Sequence, residues 1–554
     1  MLTEIKGGFR ILVTEILHAT SETRELLKER DPSKSRILYH RTAYINTQVA
    51  LLQKQTMELF LGHGAGYRES LFLFGISSIA SRLERISDIL INLDRQAGYL
   101  SDLSFLKEFH LDDFFKDIVS GLNKIIPALD KREVSLAIQL GQVEELLDGL
   151  YADRFKKIIE GLSTATGTHG DLVTSLMIVH YLERLGDLLL EIGEKIIYVI
   201  LGEKIKLEQY KAVGAGLKAT GHDIEIGKMG FKSIWGGRSG CRIGVVRGTE
   251  GSYESLDGET VLFKHGPAFK ITRERENLEL WSELRPGLTA DVKAFLPATL
   301  GREATLILEY IPSRNLQSLF MENAPEEAFE ALRQSLQIMS DIWRETKKHV
   351  PTSAEFIRQT ESRMAAVGYL YPQLLKTSGS IGTMEILPLS SLLKHLRKVE
   401  LGARSSYAML IHGDFNLSNI LYDASHKKIH MLDLHRSAMS DYVQDVTVML
   451  VSILRLPIFK TETRSRLNQA AGEVYDFAKT FASELGDKTY ELRLAFGLTR
   501  SFLGSTRFVL EEKLARQFVE RARYLLEKIY YFSQKELPVS DFTVSREVLL
   551  IDSH

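Results

Sequence analysis

The sequence predicts a two-part chain: an all-α N-terminal region built as a duplicated three-helix bundle, then an α+β region. Three observations carry this expectation. Residues 1 to about 210 hold few turn residues and show almost only helical periodicity, and SRLERISDILIN at 81–92 is matched by HYLERLGDLLLE at 180–191. After Leu207 three glycines interrupt a short polar run (EQYKAVGAGLKATGHD), and strand-like segments begin. Finally, Met409–Ser437 contains three short apolar bursts, at 409–411, 420–422 and 429–432, with His412, Asp414, Asn419 and Asp433 between or beside them.

Length and composition bound the rest. A chain of 554 residues exceeds one hydrophobic core and implies several domains. A net charge of −2 gives no global argument for nucleic acid or an anionic membrane as partner. No apolar run is long enough to span a bilayer, and MLTEIKGGFR lacks a signal-peptide core. The single Cys241 excludes an internal disulfide and any multi-cysteine zinc site, and packing is its expected role. A cytoplasmic protein without a transmembrane segment or nucleic-acid partner is expected.

Long amphipathic stretches at 3–30, 36–62 and 67–96 are followed by similar ones at 110–129, 132–160 and 170–202, six helices in all. Between the two matched segments Glu84 aligns with Glu183, Arg85 with Arg184 and Asp88 with Asp187. Four-residue spacing puts Glu84 with Asp88, and Glu183 with Asp187, on one helix face each, and Asn92 and Glu191 extend the stripe. One such motif is ordinarily a solvated face with an intrahelical ion pair, or helix-to-helix bonding with Arg85 and Arg184. Its recurrence within a duplicated unit points to a built site.

The pattern resembles the PhoU family of phosphate-signalling regulators over nearly all of 1–207. That resemblance implies metal binding through the repeated carboxylates, a homodimer and a regulatory protein partner. The second repeat adds Glu144 and Asp148 on a preceding helix, so Glu144, Asp148, Glu183 and Asp187 are the expected ligands. The first repeat has no carboxylate between His40 and Glu58, which leaves Glu84 and Asp88 short of ligands. An oxygen-rich set suits hard cations such as Mg, Mn or Fe; a transition metal (Fe, Mn or Zn) is the expected occupant.

Beyond the linker at 208–223, IEIGKMGFKSIW (224–235), the glycine-rich 236–240 and CRIGVVR (241–247) read as strand, turn and strand. ETVLFKHG (259–266) is a further strand carrying Lys264. ITRERENLELWSEL (271–284) is a helix, and ATLILEYIP (304–312) is an apolar strand running into a break. Residues 315–400 and 462–535 are helical, and 536–554 form a tail.

The decisive spacing is HGDFNLSN followed, after a hairpin at 423–428, by LDL ending on Asp433. An aspartate that takes a hydroxyl proton, an asparagine five residues on and a second aspartate after a hairpin are what phosphoryl transfer needs. The His-Gly-Asp opening resembles the aminoglycoside phosphotransferase and choline kinase families, with a bilobal protein-kinase-like fold: small lobe 224–311, large lobe 312–535, beside the helical 1–207 (repeats about 1–100 and 108–207).

The resemblance implies ATP and Mg²⁺ as cofactors and a hydroxyl-bearing small molecule as acceptor. Asp414 is the expected base and His412 braces its loop, while Asn419 and Asp433 hold Mg²⁺. Lys264 clamps the nucleotide phosphates, oriented by Glu276, with Glu279 or Glu274 as alternatives. Gly237, Ser239 and Gly240 contact phosphate, and the Glu309–Ile311 backbone meets the adenine. Asp445 caps its helix and braces the catalytic loop. The alternative is a non-catalytic, nucleotide-binding regulator in phosphate or metal homeostasis.

Overall fold

Apolar residues recurring every three to four positions make the N-terminal two hundred residues helical, and their apolar stripes close on one another. In the computed structural model, the described residues are 2–61, 66–164, 169–202, 207, 229–233, 241–248, 260–298, 303–322, 325–375, 379–381, 384–458, 460–509, 511–535 and 537–551. They form two compact units, Met1–Gly266 with Thr305–Ile307, and Pro267–Ala304 with Leu308–His554.

The first unit opens with α1 (Leu2–Leu26), α2 (Pro32–Leu61), α3 (Tyr67–Ala97), α4 (Asp112–Leu122), α5 (Ile125–Lys131), α6 (Val134–Thr164) and α7 (His169–Leu201). The fourth expected helix is split into α4 and α5. Pro127 lies in the first turn of α5, where its missing N–H does no harm; inside one continuous helix its ring would clash with the Asn123 carbonyl. Leu12, Ile16, Ile79, Leu83, Leu182, Leu185 and Leu189 are buried in the resulting core. Helices α6 and α7 meet backbone to backbone, since a Cβ at Gly193 would stand 2.7 Å from the Ala137 carbonyl oxygen. Strands β1 (Met229–Ser233), β2 (Arg242–Gly248) and β3 (Thr260–Pro267) are antiparallel, and the sheet order continues from β3 to residues 305–307. Cys241 is buried.

The second unit begins with α8 (Ala268–Leu284) and β4 (Val292–Leu296), and includes the ends of β5 (Glu303–Glu309). Then follow β6 (Arg314–Asn315), α9 (Leu316–Met321), α10 (Pro325–Thr346), α11 (Phe356–Leu370), α12 (Pro372–Leu375), β7 (Gly379–Ile381), β8 (Met384–Ile386) and α13 (Leu389–Gly402). The three apolar bursts are β9 (Met409–Ile411), β10 (Ile420–Asp423) and β11 (Lys428–Met431). Strand β10 pairs with β11 on one side and β6 on the other, while β9 pairs with β12 (Ala438–Ser440). The β10–β11 turn is held by Asp423, whose Oδ1 accepts from the Ser425 and His426 amides at 2.9 and 3.2 Å. Last come α14 (Val443–Leu454), α15 (Thr461–Glu484), α16 (Tyr490–Thr506) and α17 (Glu512–Ser533).

Helix α16 is buried along nearly its whole length, with α11, α14 and α17 packed around it. Residues 537–551 lie over α15 to α17. Phe542, Val544, Leu549 and Ile551 are buried, Tyr475 donates to the Val544 carbonyl at 3.1 Å, and Asn468 donates to the Ile551 carbonyl at 2.9 Å. Among the described residues no helix is long and apolar enough to cross a membrane; the apolar run in α14 is core.

Candidate active site

Strand β9 delivers the chain into the loop His412–Asn419, and two glycine-dependent features shape it. Gly413 has φ +81°, and a Cβ there would lie 2.2 Å from the Arg436 carbonyl oxygen. Only glycine fits both the backbone conformation and the space. The loop is then tied down by Asp445 in the first turn of α14. Fully buried, it accepts from the His412 and Gly413 amides at 2.8 Å each. Burial pushes the Asp445 carboxyl up to about 7, against the pull of those two amides. Asp445 therefore braces the loop, while the helix it was expected to cap has Tyr442 at its N-cap.

His412 is fully buried between Trp281 and Phe415, with ring centroids 5.9 and 6.0 Å away. Burial lowers its pKa, so it is neutral. Its Nδ1 accepts from the Asp414 amide at 3.3 Å, which leaves the proton on Nε2. Asp414 is partly exposed, and each of its carboxylate oxygens is held. Asn416 Nδ2 donates to Oδ1 at 3.3 Å, and Arg436 reaches Oδ2 at 3.2 Å. Asn419 Nδ2 donates to the Asp414 carbonyl at 3.0 Å, so its Oδ1 is the atom left to meet a cation.

Asp433 adopts the left-handed conformation (φ 62°), and His435 Nδ1 sits 3.0 Å from its Oδ1. Glu274, Asp433 and His435 each offer a ligand atom, all within 4.8 Å of one another. This corrects the choice of glutamate on α8. Glu276 and Glu279 are exposed, Glu279 beside Arg275 at 3.7 Å, whereas Glu274 is 2 % exposed and turns toward Asp433. The docking of α8 explains it. Asn277 donates to the Leu434 and Ser437 carbonyls at 2.7 and 3.2 Å. Trp281 donates to Ser437 Oγ at 2.8 Å, and Ser437 in turn donates to the Ile411 carbonyl at 2.7 Å.

Lys264 is buried on β3, opposite Ile243. The Glu309 amide is engaged with the Asp291 carbonyl at 2.9 Å, and the Ile311 carbonyl accepts from the Ser313 amide at 2.8 Å. Gly237, Ser239 and Gly240 lie outside the described residues. In the helical region, Asp148 is pushed up by partial burial and by Asp187, and Glu183 by burial, Asp187 and Asp148. These carboxylates of α6 and α7 therefore share one neighbourhood. Among the described residues, however, Glu144, Asp148, Glu183 and Asp187 supply no three ligand atoms as close as the Glu274 group. Glu191 is paired with Arg82 at 3.0 Å, and His180 lies 3.2 Å from Glu183.

Reasoning from sequence missed Asn416, Arg436, Asn277, Trp281 and Ser437. Asn416 alone left a local signal, an amide two residues beyond the aspartate.

Comparison with known proteins finds two families along the chain. Residues 111–196 match the PhoU domain, and residues 289–481 match the phosphotransferase enzyme family. A PhoU homologue of the phosphate-specific transport system from Streptococcus pneumoniae (strain TIGR4) is 23% identical over 207 residues, covering 37% of this chain and 96% of that protein. The crystal structure of PhoU from Streptococcus pneumoniae covers 37% of this chain and 97% of its own (24% identity, TM-score 0.35). The aminoglycoside phosphotransferase APH(3'')-Id of Streptomyces rimosus, solved with ADP and streptomycin, covers 53% of this chain and 98% of its own (15% identity, TM-score 0.34). The chain thus carries a match to the PhoU domain in its N-terminal part and a match to the phosphotransferase enzyme family in its C-terminal part.

Proposed function

We propose that this protein is an ATP-dependent phosphotransferase that moves the γ-phosphoryl group to a hydroxyl of a small molecule, with the PhoU domain as its regulatory part. The observation that carries the reading is the loop 412–419. Asp414 stands partly exposed with its carboxylate oriented by Asn416 and Arg436. That is the arrangement a base needs to receive a proton from a bound hydroxyl. Neutral His412 holds the backbone of the base, and Asp445 holds the backbone of His412 and Gly413.

The donors near Asp433 fit a hard cation: the clustered carboxylates of Glu274 and Asp433, and the uncommitted Oδ1 of Asn419. Asn419 and Asp433 would hold Mg²⁺, which when bound neutralises charge on the nucleotide phosphates. The regulatory role is supported by the match of residues 111–196 to the PhoU domain.

The test is calorimetric binding of ATP and GTP with and without Mg²⁺, on the intact protein and on Asp433→Asn, followed by ADP release with hydroxyl acceptors. Mg²⁺-dependent binding that weakens at least about tenfold in Asp433→Asn is expected. Turnover undiminished in Asp414→Ala would sink the catalytic assignment. Nucleotide binding without turnover on any acceptor would favour the non-catalytic regulator.

A further inference from the structure

Beside Asp414 a pocket of about 70 Å³, open to solvent, is lined by Arg363, Arg436, Arg455, Arg500 and Arg507. Among the described residues of its wall, Asp414 is the acidic one, and Arg436 is already paired with it. The arginines come from separate elements: Arg363 from α11, Arg436 from the turn after Asp433, Arg455 from the end of α14, and Arg500 and Arg507 from α16 and its C-cap. Folding gathers them at one spot.

Gathering like charges there is unfavourable without an anion. Arg500 is 5 % exposed. Its Nε donates to Gln359 Oε1 at 2.8 Å, and Arg363 donates to the same oxygen at 3.3 Å. Among the described residues, neither they nor Arg507 has a carboxylate within ion-pair distance. Burial, and after it the neighbouring arginines, push Arg500 down to about 9 and Arg363 to about 10, so both stay charged at neutral pH. A buried guanidinium with no carboxylate at ion-pair distance is unfavourable, and an incoming oxyanion relieves that cost. The cluster is also built into the catalytic loop. Gln359 Nε2 donates to Gln444 Oε1 at 3.3 Å, and Gln444 Nε2 donates to the Gly413 carbonyl at 3.2 Å. Space is reserved for Arg363 too: a Cβ at Gly504 would come within 3.0 Å of its guanidinium.

We propose that this cavity is the acceptor subsite and that the acceptor is an anionic hydroxyl compound, a polyol or sugar bearing a phosphomonoester. The inference rests on the phosphotransferase reading and narrows its substrate class. Arginine forks match the oxygens of a phosphate in a bidentate way, and two or three of them balance its charge. A polycationic aminoglycoside would meet like charge at the same place. In the reaction the acceptor oxygen bonds to the γ-phosphorus and the bond from that phosphorus to the β-bridging oxygen breaks. ADP leaves with the electron pair, and the hydroxyl proton passes to the Asp414 carboxylate and on to solvent.

The test uses the full chain with Mg²⁺ and ATP. ADP release is compared for ribose 5-phosphate against ribose, glycerol 3-phosphate against glycerol, and kanamycin. Inorganic phosphate binding is measured by calorimetry in the wild type, Arg363→Gln and Arg507→Gln. These two arginines line the wall without being the buried Arg500, and thermal melts check that both variants fold. Phosphate is expected to bind, and to bind at least about tenfold more weakly in each variant. A phosphorylated acceptor is expected to exceed its unphosphorylated partner by about 100-fold in kcat/KM, the variants erasing that gap mainly through KM. No phosphate binding, binding unchanged in both variants, or preference for kanamycin or the unphosphorylated partners overturns the proposal. ATP binding without arginine-dependent phosphate binding overturns it while sparing the phosphotransferase reading. Arginine-dependent phosphate binding without ATP binding overturns both that reading and the acceptor role.

Discussion

Gly413 and Asn416 act on one atom group, the Asp414 carboxylate, in different ways. Gly413 lets the loop fold at all, since a methyl group there would meet the Arg436 carbonyl at 2.2 Å in a left-handed backbone. Gly413→Ala is therefore expected to reduce kcat/KM by at least about 100-fold and lower the melting temperature, because both backbone strain and a backbone clash must be relieved. Asn416 orients rather than builds. Asn416→Ala removes a hydrogen bond to the Asp414 carboxylate, worth about 1.5–3 kcal/mol, so kcat should fall by about ten- to a hundredfold with KM little changed. An effect confined to KM would assign Asn416 to substrate binding instead. The sequence offered the glycine as part of a motif; the reason for it is a contact with a residue 23 positions away.

Between elements, a buried ion network fixes α16 to the start of α14. Arg493, 3 % exposed, pairs with Asp441 and Asp487, and Tyr442 donates to Asp487 at 2.9 Å. Arg493→Met should destabilise the second unit by about 3–5 kcal/mol, because it strands two buried carboxylates; denaturant unfolding measures it. Charge also makes stability depend on pH. Glu400 on α13 accepts from the Ile357 amide at 3.3 Å, and burial raises its pKa from 4.5 to about 7. Asp445 is raised from 3.8 to about 7, also by burial. For a carboxyl raised on folding, the native state holds its proton more tightly than the unfolded chain. The stabilisation is complete below about pH 4 and is lost as pH rises through about 7. For Glu400 this amounts to about 3 kcal/mol. The melting temperature should fall between about pH 5 and pH 8, and Glu400→Gln should flatten that slope; a slope unchanged in the variant would refute the assignment.

At the level of the whole molecule, the C-terminal strap is an integral part of the second unit. Val544, Leu549 and Ile551 bury apolar surface over α15 to α17, and Glu491 accepts from the Val544 amide at 2.9 Å. Deleting 537–551 should lower the melting temperature by several degrees, since fully burying each such side chain contributes about 1.5–3 kcal/mol. A deletion with unchanged melting would make the strap a passive covering. The arginine cavity belongs to this scale as well. Arg363, Arg436, Arg455 and Arg500 are separated by long stretches of chain, and only the packing of α11 and α14 on α16 brings them together.

Much of the fold was legible in the sequence because local rules govern it. Helical periodicity placed the bundle within a few residues, and apolar bursts placed β9, β10 and β11. Asp414, Asn419 and Asp433 could be singled out because they stand at short spacing along the chain beside the apolar bursts. Their partners could not. Which glutamate of α8 turns inward depends on how that helix is rotated against the turn at 434–437, a matter of hydrogen bonds from Asn277 and Trp281 that periodicity does not encode. A slip from Glu276 to Glu274 moves the side chain some 200° around the helix, from solvent into the core. The sequence by itself determined the two-part architecture and the chemical groups of the candidate site. Tertiary structure decided which charges face one another, because long-range packing, and not spacing along the chain, sets the distance between them.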